Sequence, residues 1–106
     1  MELKLHIYEG HEIAKTYTTE SIDLSWGVID DVIDAFDFES MTSGNNKEMF
    51  KAIIKCKDQI APFLMDIFDG LTADEVRHTR MQNLIEVFRR LYNYAVNELG
   101  IIGSKN

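Results

Sequence analysis

The side chains of this chain that could do chemistry are few and far apart. Its three histidines stand at His6, His11 and His78, and its one cysteine is Cys56. A metal site needs such ligands clustered at short spacing, and these are dispersed. Cys56 falls on an apolar stripe of a lysine-flanked helix and reads as a core thiol. Asp23, Asp30, Asp34 and Asp37 gather on one arc of a helix, but the EF-hand loop spacing with its central glycine is missing. They read as a solvated helix face. A nucleophile needs an adjacent base and a strained presentation, and no G-x-S-x-G elbow occurs. The six glycines are scattered, so no loop cradles a phosphate. The expectation is a protein that is not an enzyme and that binds neither metal nor cofactor.

Composition and charge fit that expectation. A chain of 106 residues with 45% hydrophobic content can form one domain with a real core. At this size folding buries roughly 65% of the unfolded surface, so no staple is required. A single cysteine cannot form an internal disulfide and suits a reducing compartment. No stretch approaches the roughly 18 apolar residues of a membrane span, and Met1-Glu2-Leu3-Lys4 is not a signal peptide. The chain reads as cytoplasmic, with no membrane partner. Its net charge of −7 is unevenly spread: residues 1–46 carry −8 and residues 47–106 carry +1. The acidic half repels phosphate backbones, so nucleic acid is not an expected partner. It suits a basic protein partner, or it serves solubility alone.

The elements follow from periodicity. Leu3, Leu5 and Ile7 alternate with Lys4, His6 and Tyr8, a strand with one buried face. Glu9-Gly10-His11-Glu12 supplies a turn, and Ile13 to Thr19 is rich in strand formers. Together they predict a β-hairpin, which must pack on something to be stable. From Ile22 the period becomes helical. Ile22, Trp26, Ile29, Ile33 and Phe36 form one apolar face, while Leu24, Val28 and Ala35 form a second strip. Two strips on one helix imply burial on two sides, or one side reserved for a partner.

Met41 to Asn46 reads as a loop. Asn45 and Glu48 resemble a capping box opening a second helix near residue 46. Its apolar stripe is Met49, Ile53, Cys56, Ile60, Leu64 and Ile67. Pro62 predicts a break near Ala61 and a fresh short helix from Pro62 to Phe68. Thr72 and Glu75 form a further capping box over a short turn. Thr79 and Gln82 are read as opening the longest helix, whose apolar face is Met81, Leu84, Ile85, Phe88, Leu91, Tyr92, Ala95 and Leu99. Gly100 suits its C-terminal cap, and 101–106 is a short tail. The expected fold is therefore α+β and mostly helical. An N-terminal β-hairpin packs on three main helices plus short helical turns, in a single domain over residues 1–100.

Several features could mediate binding. Leu71 to Val76 followed by Arg77, Arg80, Arg89 and Arg90 has the outline of a helix-turn-helix. The chain lacks the basic character such modules use, and a capped helix pair with surface arginines accounts for it. Among the aromatics, Tyr17, Trp26, Phe50, Phe63, Phe68 and Tyr94 are interface candidates, most of them expected in the core. Phe50 and Ile54 stand out because they lie off the main stripe of their helix. With Leu24, Val28 and Ala35 they form the candidate partner-binding set.

The order of these pieces also carries a likeness. A hairpin with Glu2-Leu3-Lys4-Leu5 and Lys15-Thr16-Tyr17-Thr18 precedes an acidic, aromatic-bearing helix from Trp26 to Phe38. A loop with Ser43-Gly44-Asn45-Asn46 follows, then Ile60-Ala61-Pro62-Phe63-Leu64-Met65-Asp66-Ile67-Phe68-Asp69-Gly70-Leu71-Thr72. Over nearly its whole length the chain resembles the tail assembly chaperones of long-tailed phages and prophages of Gram-positive bacteria. The most specific stretch runs from Asp66 to Thr72. The resemblance implies a small helical protein that binds the tape measure protein and major tail protein subunits. It also implies work in the host cytoplasm, absence from the finished virion and possible self-association. Many members are made in two lengths by ribosomal frameshifting. The family supplies no catalytic residue to carry over. A small acidic phage or mobile-element regulator that binds or inhibits a host protein stands as the alternative.

Overall fold

The computed structural model describes residues 1–36, 41 and 44–97. Strands β1 (Glu2–Glu9) and β2 (Glu12–Glu20) form a two-stranded antiparallel sheet. Gly10 takes φ 66° at the first turn position, and no non-glycine residue has positive φ. That is the II′ pattern, whose twist suits a hairpin. The register shifts where Ile7 faces Lys15 and Tyr8 faces Ile13, so Ala14 is an extra residue in β2. The alternation holds: Leu3, Leu5 and Ile7 are buried.

After a 3-10 turn at Ser21–Asp23, α1 spans Trp26–Ala35. Ser25 caps it, its hydroxyl accepting the Val28 N–H at 3.3 Å. This start corrects the expected apolar face. Ile22 lies before the helix and Trp26 falls on its flank, and the two are 75% and 62% exposed. The inward face is Ile29, Val32 and Phe36. Met41, expected in a loop, is helical and fully buried. Its loop-like neighbours in sequence conceal that burial.

Helix α2 spans Asn46–Lys55 and α3 spans Lys57–Ile67. Asn45 caps α2 through Oδ1, which accepts the Lys47 N–H at 2.9 Å. The break expected near Ala61 lies at Cys56 instead, with φ −112° and ψ 34°. Pro62 is inside α3. Its ring must clear the carbonyl of Asp58, which lacks the usual N–H partner. Both residues are exposed, so that carbonyl lies on the solvent side and water can satisfy it. The expected division into two helices is present, with the second longer than expected because the break comes earlier.

Helix α4 (Ala73–Val76) begins with the expected capping box: the Thr72 hydroxyl and the Glu75 side chain bond each other's backbone N–H. The Thr79 hydroxyl, expected to cap the last helix, donates back to the Val76 carbonyl at 2.7 Å. That long helix, α5 (Met81–Asn97), buries Leu84, Ile85, Val87, Phe88, Leu91, Tyr92 and Ala95. Val87 is the addition to the expected face. Phe88 is completely buried between Phe36 and Phe63, with ring centroids at 5.1 and 6.5 Å. Leu99, Gly100 and the 101–106 tail lie outside the described residues, as do Asp37 and Phe38. The fold is α+β and mostly helical, with the hairpin laid on α5.

The N–H and C=O groups of Glu2, Lys4, His6 and Tyr8 point away from β2, and the helical half engages one group of each residue. Asn83 on α5 accepts the His6 N–H at 2.8 Å and donates to the Lys4 carbonyl at 3.0 Å. Arg90 Nη1 donates to the Glu2 carbonyl at 3.3 Å, and the Tyr8 N–H donates to the His78 carbonyl at 2.8 Å. The outer edge of β1 is thereby tied to the helical half along its length.

Candidate functional site

Tyr17, Glu75 and Lys15 form a cluster that joins distant elements. The Tyr17 hydroxyl donates to Glu75 Oε1 at 2.7 Å, and Thr72 donates to the same oxygen through its N–H at 3.1 Å. These bonds, Tyr17 first, hold the Glu75 carboxyl below the usual carboxylate range. Lys15 Nζ lies 3.5 Å from Glu75 Oε2 and 4.6 Å from the Tyr17 ring centroid. The Tyr17 side chain and then the Glu75 charge hold its ammonium above the ordinary lysine value. The cluster joins β2 to α4. Burial pushes the Cys56 thiol up, which disfavours the reactive thiolate. The thiol donates to the Ala52 carbonyl of its own helix at 3.2 Å. Among the described residues no group of three or more His, Cys, Asp or Glu could hold a metal ion. No helix of the described residues is long and apolar enough to cross a membrane.

The structure divides the five candidate binding residues. Phe50 and Ile54 are 45% and 47% exposed, one turn apart on α2. Their helix turns Met49 and Ile53 into the core, which leaves Phe50 and Ile54 together on one flank. Leu24, Val28 and Ala35 are only half-exposed and pack against the core cluster. That packing matches burial on two sides, the first of the two arrangements that two apolar strips imply. Ala35 also lines an open cleft of about 560 Å³ with Ala52, Cys56, Glu48, Lys51 and Lys55. That cleft is on the flank of α2 opposite Phe50 and Ile54, so the five do not form one surface.

Ile22 is absent from the candidate binding residues, and Trp26 stands among the interface aromatics but outside the partner-binding set. Ile22 and Trp26 look like core by spacing, yet they project from the start of α1. The signal was Ser25: a serine N-cap there places Trp26 in the first turn and Ile22 outside the helix. Trp26 shares a flank of α1 with half-exposed Ile33, beside exposed Asp30 and Asp34. The exposed large apolar side chains among the described residues are thus Phe50 with Ile54 on α2, Ile22 with Trp26 at the start of α1, Ile13 on β2, Met65 on α3 and Met1.

Comparison with protein-family models, with curated proteins and with solved structures finds no match to this chain.

Proposed function

We propose that this protein is a phage tail assembly chaperone that binds the tape measure protein and tail subunits through protein–protein contacts. It acts in the host bacterial cytoplasm and is left out of the mature virion. The observation that carries the reading is the exposed Phe50–Ile54 pair on a regular helix whose core-facing residues are already satisfied. Single exposed apolar residues are ordinary. An aromatic and a β-branched side chain one turn apart suit the groove of an amphipathic partner helix. The likeness of Asp66 to Thr72, and of the order of elements, supplies the identity of the partner. The net charge of −7 keeps such a coat soluble while it covers apolar helices.

The acidic regulator is the second reading, favoured by exposed Asp30, Asp31 and Asp34 on α1. A nucleic-acid mimic needs an unbroken negative face, and Trp26 borders this one. Co-expression with a candidate tape measure protein separates the two. The chaperone keeps it soluble and co-purifies with it, and a Phe50→Gln, Ile54→Gln variant that stays folded loses it. A tape measure protein that aggregates regardless of this chain sends the reading to the regulator.

A further inference from the structure

The two edges of the hairpin are treated differently. Each outward-facing residue of β1 has one backbone group bonded to α5 or to the turn before it. The register then fixes the other edge. Leu3, Leu5 and Ile7 bond inward to Thr19, Tyr17 and Lys15, so the N–H and C=O groups of Thr16 and Thr18 point outward from β2. Both residues are exposed, and no backbone partner meets them among the described residues. Proteins commonly blunt such an edge with proline, with unpaired lysine, with a β-bulge or by keeping the strand short. Here β2 is nine residues long and has no proline, and its bulge at Ala14 comes before Thr16 and Thr18. Its one lysine is drawn toward Glu75.

Charge indicates what the edge accepts. Glutamates face each other at both ends of the ladder: Glu2 opposite Glu20, and Glu9 opposite Glu12. Like charges directly opposite destabilise a sheet. The first pair is relieved by Lys4 at 3.8 Å from Glu2 and by the N-terminal amine at 3.4 Å from Glu20. Among the described residues Glu9 and Glu12 have no ion pair. A second copy paired antiparallel about Thr16 would bring acid to acid, Glu12 against Glu20. A strand carrying lysine or arginine at its ends would instead neutralise the uncompensated pair.

We propose that β2 is a docking edge for an extended, basic segment of a partner protein, which adds a third strand beside Thr16 and Thr18. The site is separate from Phe50 and Ile54 and does not depend on the chaperone reading. The backbone of Thr16 and Thr18 gives affinity, and Glu9 and Glu12 select for positive charge.

Amide hydrogen exchange tests this with the synthetic nine-residue peptide Lys-Lys-Thr-Val-Thr-Val-Thr-Lys-Lys. In the free protein the Thr16 and Thr18 amides exchange fast while those of Lys15, Tyr17 and Thr19 are protected. With peptide at about ten times its Kd, exchange at Thr16 and Thr18 slows roughly ten-fold. The same peptide with glutamate in place of lysine leaves them fast, and Glu9→Gln with Glu12→Gln weakens the lysine peptide several-fold. A Phe50→Gln, Ile54→Gln variant binds it normally. The proposal is overturned if the lysine peptide does not bind, binds without protecting Thr16 and Thr18, or binds no better than the glutamate peptide. Protection that grows with protein concentration and no peptide would assign the edge to a second copy and overturn it equally.

Discussion

The Tyr17 hydroxyl and Glu75 Oε1 meet at 2.7 Å across 58 positions of sequence, binding the hairpin to the capping box of α4. The same carboxylate accepts the Thr72 N–H, so one side chain serves a helix start and a tertiary contact. Gly70 is part of the joint. It accepts a weaker bond from Tyr17 at 3.3 Å and holds φ 87°, a conformation other residues resist.

The cluster gives stability a pH dependence of known sign. The folded carboxyl of Glu75 is depressed, so its contribution is present above the unfolded pKa near 4.5 and lost as pH falls through the folded value. Lys15 is raised, so its contribution is present below 10.5 and lost as pH climbs through the folded value. Tyr17→Phe should therefore lower Tm at neutral pH and leave little difference from the parent protein at the acid end. Thermal melts by circular dichroism from pH 2 to pH 7 will show the two curves converging. Parallel curves would mean that Glu75 gains nothing from Tyr17.

Phe88 fills the middle of the core, fully buried against Phe36 and Phe63. Phe88→Ala should cost about 3–5 kcal/mol, comparable to the whole stability of a small domain. Phe88→Leu keeps much of the volume and should cost less. Urea unfolding of the two variants gives the difference directly.

Asn83 satisfies two backbone groups of β1 that would otherwise lie against the helix unpaired. Asn83→Ala should destabilise by about 1–3 kcal/mol. The His6 amide should exchange faster than in the parent protein, while Tyr17 on the inner ladder changes less. Uniform acceleration of both would show that the clamp supports the whole fold rather than one edge.

Phe50→Gln with Ile54→Gln should behave in the opposite way. Neither residue is part of the buried core, so folding stability should move by no more than about 0.5 kcal/mol per site. Any tape measure complex should nonetheless be lost. A large drop in Tm would instead mark the pair as structural, and the binding result would then carry no weight.

Trp26 offers a direct view of its own flank. At 62% exposure its fluorescence should be red-shifted and readily quenched by iodide in the free protein. A blue shift on adding a partner would enlist the start of α1 in the interface. An unshifted spectrum in a verified complex would exclude it.

Much of this architecture can be read from local chemistry. The hairpin follows from the alternation Leu3, Leu5, Ile7 and from Gly10, and α5 from its apolar row. The capping box at Thr72 follows from serine-or-threonine logic three residues before an acid. The failures have a common cause: periodicity ranks faces but does not say which one meets the core. Ile22 and Trp26 match the spacing of Ile29 and Phe36 yet are displaced by the cap at Ser25. Leu24, Val28 and Ala35 look surplus because their neighbours in space are distant in sequence. Pro62 signals a break, but relief came at Cys56, where the chain could turn. The exposure of Phe50 and Ile54 was legible from their offset to Met49 and Ile53. The Asn83 clamp on β1 was not, since a side chain reaching a strand edge 77 and 79 positions away leaves no periodic trace.

That clamp also sets an order of events. Asn83 and Arg90 are translated long after Lys4 and Glu2, with sequence separations of 79 and 88 residues. Until they emerge from the ribosome, the first strand has no lid and the new hairpin offers both sides to any neighbouring chain. Closing such distant contacts is slow, because the intervening loop entropy must be met first. The nascent chain therefore exposes both edges of the hairpin before α5 is made, and crowded synthesis on polysomes should favour aggregation at that stage.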